Sequence, residues 1–562
     1  MGTFTDKITM QHRLFAELSS MFGREVPMYD KSLLVNKECN KVAAALFEKM
    51  YPGFSISDAQ LDKAGGERHG AIRIGRPDEY RWVARFFNQF AMEPHNFYDM
   101  ANVGNKSQPI IATAFRSVLN PEHRVFASLL LTDYFDAETR RRIESVLETR
   151  RVFSDRAKEL IEKGEKQGGL DENDADDLIR EATHRIFKWT GHAHDHSLYK
   201  DLCDAGFKIA ADIACFESHH LNHLTPNTFS MDLFTAAMKF CMGELPEADF
   251  RRRAATTLTR LLSFADRDFM KLHFKHLARE RIDALPKASP GPDAADIAAL
   301  VDSLVTRLSQ SDLQLARLEH AGFKDFTEGP AHDTPVLLRQ DAYKALPEPV
   351  TFRNADGSVV ETTHTARFGE IEQRFYATTP AGRELYDKCL MQNDAQRDRD
   401  LSIVKRDFSA FESQASGAFA PFPKTLRELV DKHIVYGRYA PTPKGLTANG
   451  AVQSTDMRDL VSQGFVQIEG LRHEDFLPVS AAGIFASNLN QYGTKATAAE
   501  RPVYTKARLE EIMGKAIIES DAVYRGIQAR SMLDTYAKLG LLAKLPAAQR
   551  TELESQAAAV PL

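Results

Sequence analysis

From Val336 onward the pattern turns to short strands, VLLRQ, PVTFR, VVETT and RFGEIEQRFYATT. That run constrains the fold most, because much of what precedes it reads as helix. Residues 6–50 carry apolar positions at roughly helical spacing and divide into two helices, the second ended by Pro52-Gly53. Glu79–Phe90 is amphipathic, residues 133–200 are helical and highly charged, and residues 228–320 are helical with a break at PKASPGP (286–292). Two earlier segments, Ala71–Ile74 and Val125–Leu131, read as strands; residues 380–475 are mixed, and a mostly helical tail follows Thr505. No repeat of 20–50 residues is visible. The expectation is an α+β fold in which β modules are interrupted by long helical insertions.

Composition narrows the function. With 562 residues, 43% hydrophobic and 27% charged, the chain is an ordinary globular protein that can bury a large core without disulfides. Its formal net charge of −6 gives no basic bias, so neither nucleic acid nor a membrane surface is an expected partner. Cys39, Cys203, Cys215, Cys241 and Cys389 contain no CxxC pair, which excludes a zinc ribbon and reads as scattered thiols in a reducing cytoplasm. No segment reaches the length of a membrane span, and nothing in the pattern specifies an oligomeric state.

The histidines carry the chemical signal. In RHGAIR, strand alternation puts His69, Ala71 and Arg73 on one face, with His69 and Arg73 about 13 Å apart along the backbone. A small ligand held at His69 could therefore meet Arg73 at its far end. In HHLNHLTP, His219 and His223 share a face whether the segment is helix or strand, and Pro226 favours the extended form. The neighbour of His219 is His220 where an HExxH zinc motif needs glutamate, so that motif is absent. A third group, His192-Ala193-His194-Asp195-His196, follows an apparent helix end and reads as a turn and cap with exposed histidines. Asp171-Glu172-Asn173-Asp174 fails as a calcium loop, since Ala175, Asp176 and Ala182 stand where the loop needs other residues. In FGEIEQR, alternation puts Glu370, Glu372 and Arg374 on one face, where two carboxylates need more cation than one arginine supplies. Two imidazoles and one carboxylate leave about half an octahedral shell open, which suits non-haem Fe(II), a 2-oxo acid and O2. P-loop, dinucleotide and GxSxG signatures are absent.

Taken in order, RHGAIR, HLNHLTP, EGP, EPVTF, HTARFGEIEQR and EDFLPVSAAGIF resemble the 2-oxoadipate dioxygenase/decarboxylase family, a branch of the vicinal oxygen chelate superfamily. GEIEQR is also similar to the EIIQR block of 4-hydroxyphenylpyruvate dioxygenases, whose first glutamate binds iron, and that likeness selects Glu370 over Glu372. The resemblance implies His69, His223 and Glu370 as Fe(II) ligands, Arg73 on the distal carboxylate of the substrate, and Val479 and Ser480 lining its pocket. It implies vicinal-oxygen-chelate-like β modules and a reaction of 2-oxoadipate with O2 to 2-hydroxyglutarate and CO2, as in lysine breakdown. The family commonly has arginine after NHLTP, where this chain has Asn227, and the extra length falls mainly in helices of roughly 235–310. The corresponding division is a helical segment 1–60, a metal-binding β core 61–380 with insertions at about 133–205 and 228–320, and a region 381–562 completing the pocket. Rival readings are a redox-neutral metal-dependent isomerase or lyase on the same scaffold, and a non-catalytic interaction protein using the charged helices.

Overall fold

The computed structural model describes residues 4–101, 107–448, 452–477 and 503–559. The described residues form an α+β protein. Its strands, in chain order, are β1 (Arg68–Ile74), β2 (Glu93–Asp99), β3 (Ile110–Arg116), β4 (His123–Leu130), β5 (His192–His194), β6 (His223–Pro226), β7 (Leu338–Tyr343), β8 (Glu348–Arg353), β9 (Val359–His364), β10 (Gly369–Arg374), β11 (Gly437–Pro441) and β12 (Val466–Gly470).

The central sheet has the order β2-β3-β4-β1-β6. β1 lies parallel to β4 and antiparallel to β6, with every residue of β1, β3 and β4 buried. β10 continues this surface beside β6: Phe368 N–H donates to Asn222 O (3.2 Å) and Thr228 N–H to Glu372 O (2.8 Å). β7 pairs antiparallel with β10 on its far side. Two glycines permit this packing. A side chain at Gly369 would strike the Tyr343 ring, its cross-strand neighbour, and one at Gly70 would come within 3.0 Å of His223 O. β8 and β9 form a hairpin that adds β5 at its edge, and β11 pairs with β12.

The two expected N-terminal helices are Lys7–Glu25 and Pro27–Met50. Asp6 caps the first by accepting from Thr9 N, and Pro27 opens the second where a missing N–H costs nothing. Leu14, Phe15, Leu18 and Phe22 meet Tyr29, Val35 and Phe47 in the main apolar core. The second helix also packs against helices Met231–Cys241 and Ala294–Leu308, so the long helical stretch buttresses the sheet from outside. No helix among the described residues is long and apolar enough to cross a membrane.

The HAHDH segment differs from the expected turn. His192–His194 form a short strand because β8 offers a parallel partner, with His192 opposite Thr351. Asp195 caps the next helix as expected, accepting from Leu198 N. Its flanking histidines are half-buried, with His194 Nε2 3.3 Å from Glu217.

Candidate metal centre

Strand register assembles the cluster. His69 stands opposite Thr225 and Ala71 opposite His223, and cross-strand partners share a face, so the two imidazoles project together. β10 beside β6 then delivers Glu370. Its Oε2 lies 3.3 Å from His69 Nε2 and 3.6 Å from His223 Nε2, and accepts hydrogen bonds from Thr225 Oγ1 (2.9 Å) and Gln340 Nε2 (3.2 Å). The imidazole planes cross at 85° with centroids 5.5 Å apart. All three side chains are buried.

What the cluster lacks is a full set of partners. Both nitrogens of His223 and Oε1 of Glu370 are buried with no hydrogen-bond partner, a costly arrangement unless something else binds them. Burial pushes the His223 pKa down to about 4, outweighing the nearby Glu370, so the ring is neutral with a lone pair to donate. At His69 burial acts in the same direction, but Glu372 and Glu370 outweigh it and raise the pKa. Burial would raise Glu370, yet His223 and His69 hold it below the usual carboxylate range. Two nitrogens and one oxygen converging on a dry point, with orphaned donor atoms, fit a divalent metal with open positions.

Glu372 occupies a different place. Its Oε2 lies 3.0 Å from His69 Nδ1, behind the ring, while Oε1 accepts from Arg374 Nε (2.7 Å) and Arg124 Nη1 (3.2 Å). Arg124 is fully buried and also meets Glu67 (2.5 Å) and Glu474 (2.6 Å), and Arg472 joins Glu67 at 2.9 Å. Burial would raise Glu372, but Arg374, His69 and Arg124 hold it far below its ordinary value. Each glutamate keeps one oxygen without a hydrogen bond, but that of Glu372 faces the rear nitrogen of His69 and its other oxygen is held by two arginines, which positions Glu372 to orient His69 and leaves Glu370 as the ligand candidate.

Aromatic rings close the centre. Phe476 meets His69 edge-on at 5.1 Å and Phe126 at 5.5 Å, and Phe368 stacks on His223 at 5.4 Å.

Arg73 lies two positions beyond Ala71 on β1, and its Nη1 donates to Asp212 Oδ2. Asp212 is buried on helix Lys208–Cys215 and also accepts from Asn222 Nδ2 (3.3 Å). His220 Nε2 and His364 Nε2 approach its other oxygen at 3.3 and 3.2 Å, and Tyr199 Oη contacts His364 Nδ1 at 2.8 Å. Burial opposes the charge on Asp212, but His220 and Arg73 hold its carboxyl well below the usual range. Asp212, His364, Thr225, Gln340 and Phe476 were not singled out by the sequence. A lone carboxylate in the apolar run KIAADIAC was the one signal available for Asp212. Asn227 turns its carbonyl oxygen to Arg472 Nη2 at 3.3 Å. Val479 and Ser480 lie outside the described residues.

A second convergence of metal-ligating side chains among the described residues is His12, Glu122 and His123. Here Asn120 Nδ2 donates to His12 Nε2 (3.2 Å), leaving His12 Nδ1–H to donate to His123 Nε2 (3.1 Å). Glu122 meets Lys275 (3.3 Å) and His276 (3.2 Å). The hydrogen-bond chain accounts for both facing imidazoles without an ion.

A family model described as 2-oxoadipate dioxygenase/decarboxylase matches residues 14–242 and 269–488. The 2-oxoadipate dioxygenase/decarboxylase of Pseudomonas putida is 31% identical over 544 residues, covering 94% of this chain and 96% of the relative. That of Escherichia coli is 28% identical over 527 residues, covering 92% and 95%. Among solved structures, the hydroxyglutarate synthase from Pseudomonas putida in complex with 2-oxoadipate superposes with a TM-score of 0.67 at 29% identity, over 96% of this chain and 100% of that one.

Proposed function

This chain belongs to the 2-oxoadipate dioxygenase/decarboxylase family, and we propose that it converts 2-oxoadipate and O2 to 2-hydroxyglutarate and CO2 on an Fe(II) ion held by His69, His223 and Glu370. The observation that carries the reading is the buried two-nitrogen, one-oxygen cluster whose donor atoms lack partners. Fe(II) there would supply the redox chemistry with O2 and a Lewis-acid hold on the 2-oxo acid end of the substrate.

The chain's own residues then do four things. His69 and His223 offer lone pairs, His69 being aimed by Glu372 at its rear nitrogen. Glu370 contributes charge and is itself steadied by Thr225 and Gln340. Phe126, Phe368 and Phe476 keep water from the reacting end. Arg73 takes the distal carboxylate: one nitrogen is anchored on Asp212, and the planar guanidinium has further N–H donors for a second carboxylate. Asp212 is thus a positioning residue for Arg73.

Turnover of 2-oxoadipate should consume O2 and release CO2 in equal amounts, with 2-hydroxyglutarate as product and oxygen from 18O2 in it. Release of CO2 at full rate without O2 would overturn the reading and indicate a simple decarboxylase.

A further inference from the structure

The family match stops at residue 242 and resumes at 269. Most of the unmatched stretch is one helix, Glu247–Phe264. It buries Phe250, Ala254, Leu258 and Leu261 in the core. Its opposite side walls an open groove of about 550 Å3, also lined by residues 325–327 and 405–409. That volume suits a metabolite-sized ligand.

The charges in this groove are not balanced pair by pair. Glu412 is held by both terminal nitrogens of Arg260 (2.9 and 3.0 Å), and Asp232 by both of Arg339 (3.0 and 2.8 Å). Asp249 pairs with Arg252 (2.9 Å), Asp325 with Lys405 (3.5 Å), and Asp407 caps the following helix. Two cations remain that make no ion pair with a carboxylate among the described residues. The Arg253 guanidinium lies over the Phe408 ring at 4.2 Å, and Lys239 Nζ reaches the carbonyl of Asp325 at 3.5 Å and lies over the Phe323 ring at 5.9 Å. Burial lowers the pKa of both, partly offset by Asp249 at Arg253 and by Asp341 at Lys239. An arginine stacked on an aromatic face keeps its N–H edge free for a two-oxygen partner. A lysine beside it adds a point charge.

We propose that this groove binds a small oxyanion carrying more than one negative charge, through Arg253 and Lys239, at a site separate from the substrate pocket. The shared chemistry is that of a phosphate- or carboxylate-bearing metabolite. The site lies behind β7: Thr235 and Thr327 line it and donate to Asp341 on that strand (3.0 Å each), while the adjacent Gln340 contacts Glu370 at the metal centre.

The test is calorimetric titration of the metal-loaded enzyme with inorganic phosphate and, separately, with tricarballylate at constant ionic strength. At least one should bind saturably at one per chain, and the better one identifies the source. Arg253→Gln and Lys239→Gln should each weaken binding by about tenfold or more, the scale of a lost charge-assisted bond. Both variants should retain wild-type turnover of 2-oxoadipate, which shows that they are folded. Arg73→Ala should bind the anion as the wild type does. A response no different from chloride, unchanged affinity in both groove variants, or loss of binding in Arg73→Ala would overturn the proposal. The binding outcomes do not depend on whether 2-oxoadipate is the substrate, and a wild-type Tm and circular-dichroism spectrum show that the variants are folded in either case.

Discussion

Among the described residues, two places bring two histidines and a glutamate within ligand distance, and they differ in how their facing nitrogens are satisfied. At His12, Glu122 and His123, a chain of hydrogen bonds from Asn120 through His12 to His123 assigns a proton to each contact. At His69, His223 and Glu370, both nitrogens of one imidazole and one carboxylate oxygen have no partner. Residue types and spacing are nearly alike, so convergence alone does not mark a metal site. A buried nitrogen without a partner does not mark one alone either, since both nitrogens of His219 and of His273 and Nδ1 of His123 are in that state; convergence and the deficit together do, because each unsatisfied group costs about 1–3 kcal/mol unless a shared ligand removes it.

The sharpest way to break the comparison is to delete one ligand from each cluster. His223→Ala and His69→Ala should abolish bound metal and turnover while the protein stays folded, since few protein donors then remain. His12→Gln should leave metal content at the wild-type level and turnover within about twofold, as expected of a site that only packs. Stoichiometric metal in both His69→Ala and His223→Ala would mean that the centre is elsewhere.

A smaller effect should come from Arg73→Ala. Removing one member of a desolvated charge pair costs about 2–5 kcal/mol, to be read in kcat/KM for 2-oxoadipate with metal binding intact. A 2-oxo monoacid of equal length should be a poor substrate for the wild type and lose far less in the variant. Equal losses on both would assign Arg73 to the fold. Asp212→Asn should follow the pattern of Arg73→Ala at reduced size, because it loosens the guanidinium without removing it.

Glu372→Gln sharpens the distinction between the two glutamates. Glu370→Ala should abolish metal binding, whereas Glu372→Gln should reduce affinity by roughly 10–100-fold, the usual scale for a residue that orients a ligand. The opposite ranking would exchange their roles.

The least site-specific effect concerns acid stability. Burial lowers the pKa of His95, His273 and His473 to about 3 and of His223 to about 4, from 6.5. These rings stay neutral in the folded chain while the unfolded chain takes up protons below pH 6.5. Their contribution is therefore intact above that pH and is lost as pH falls towards 3–4. At pH 5 each costs about 2 kcal/mol. The metal-free protein should show a steep fall in Tm between pH 7 and 5. A flat profile over that interval would contradict the burial of these rings.

The sequence made some of this architecture legible and hid the rest for physical reasons. β8 and β9 were readable because exposed and buried positions alternate along them, and the RHGAIR, HLNHLTP and GEIEQR blocks brought His69, His223 and Glu370 forward. β2 and β3 were not anticipated. EPHNFYD contains a proline and a break in register between His95 and Phe97, and IIATAFR is buried on both faces, which erases the period of two. Asp212 could not be paired with Arg73 from sequence, because 139 residues separate them and only the fold joins them. The strand at HAHDH likewise depends on β8, far along the chain. Glu370 and Glu372 look equivalent by alternation; their difference arises from Arg374 and Arg124, which engage one and not the other.

The most direct test is anomalous diffraction at the iron edge from crystals of the enzyme loaded with Fe(II) under anaerobic conditions. One strong peak is expected, bonded to His69 Nε2, a nitrogen of His223 and a carboxylate oxygen of Glu370, with Glu372 behind His69 and not in contact. A peak among His12, Glu122 and His123, or no peak at His69, would contradict the account.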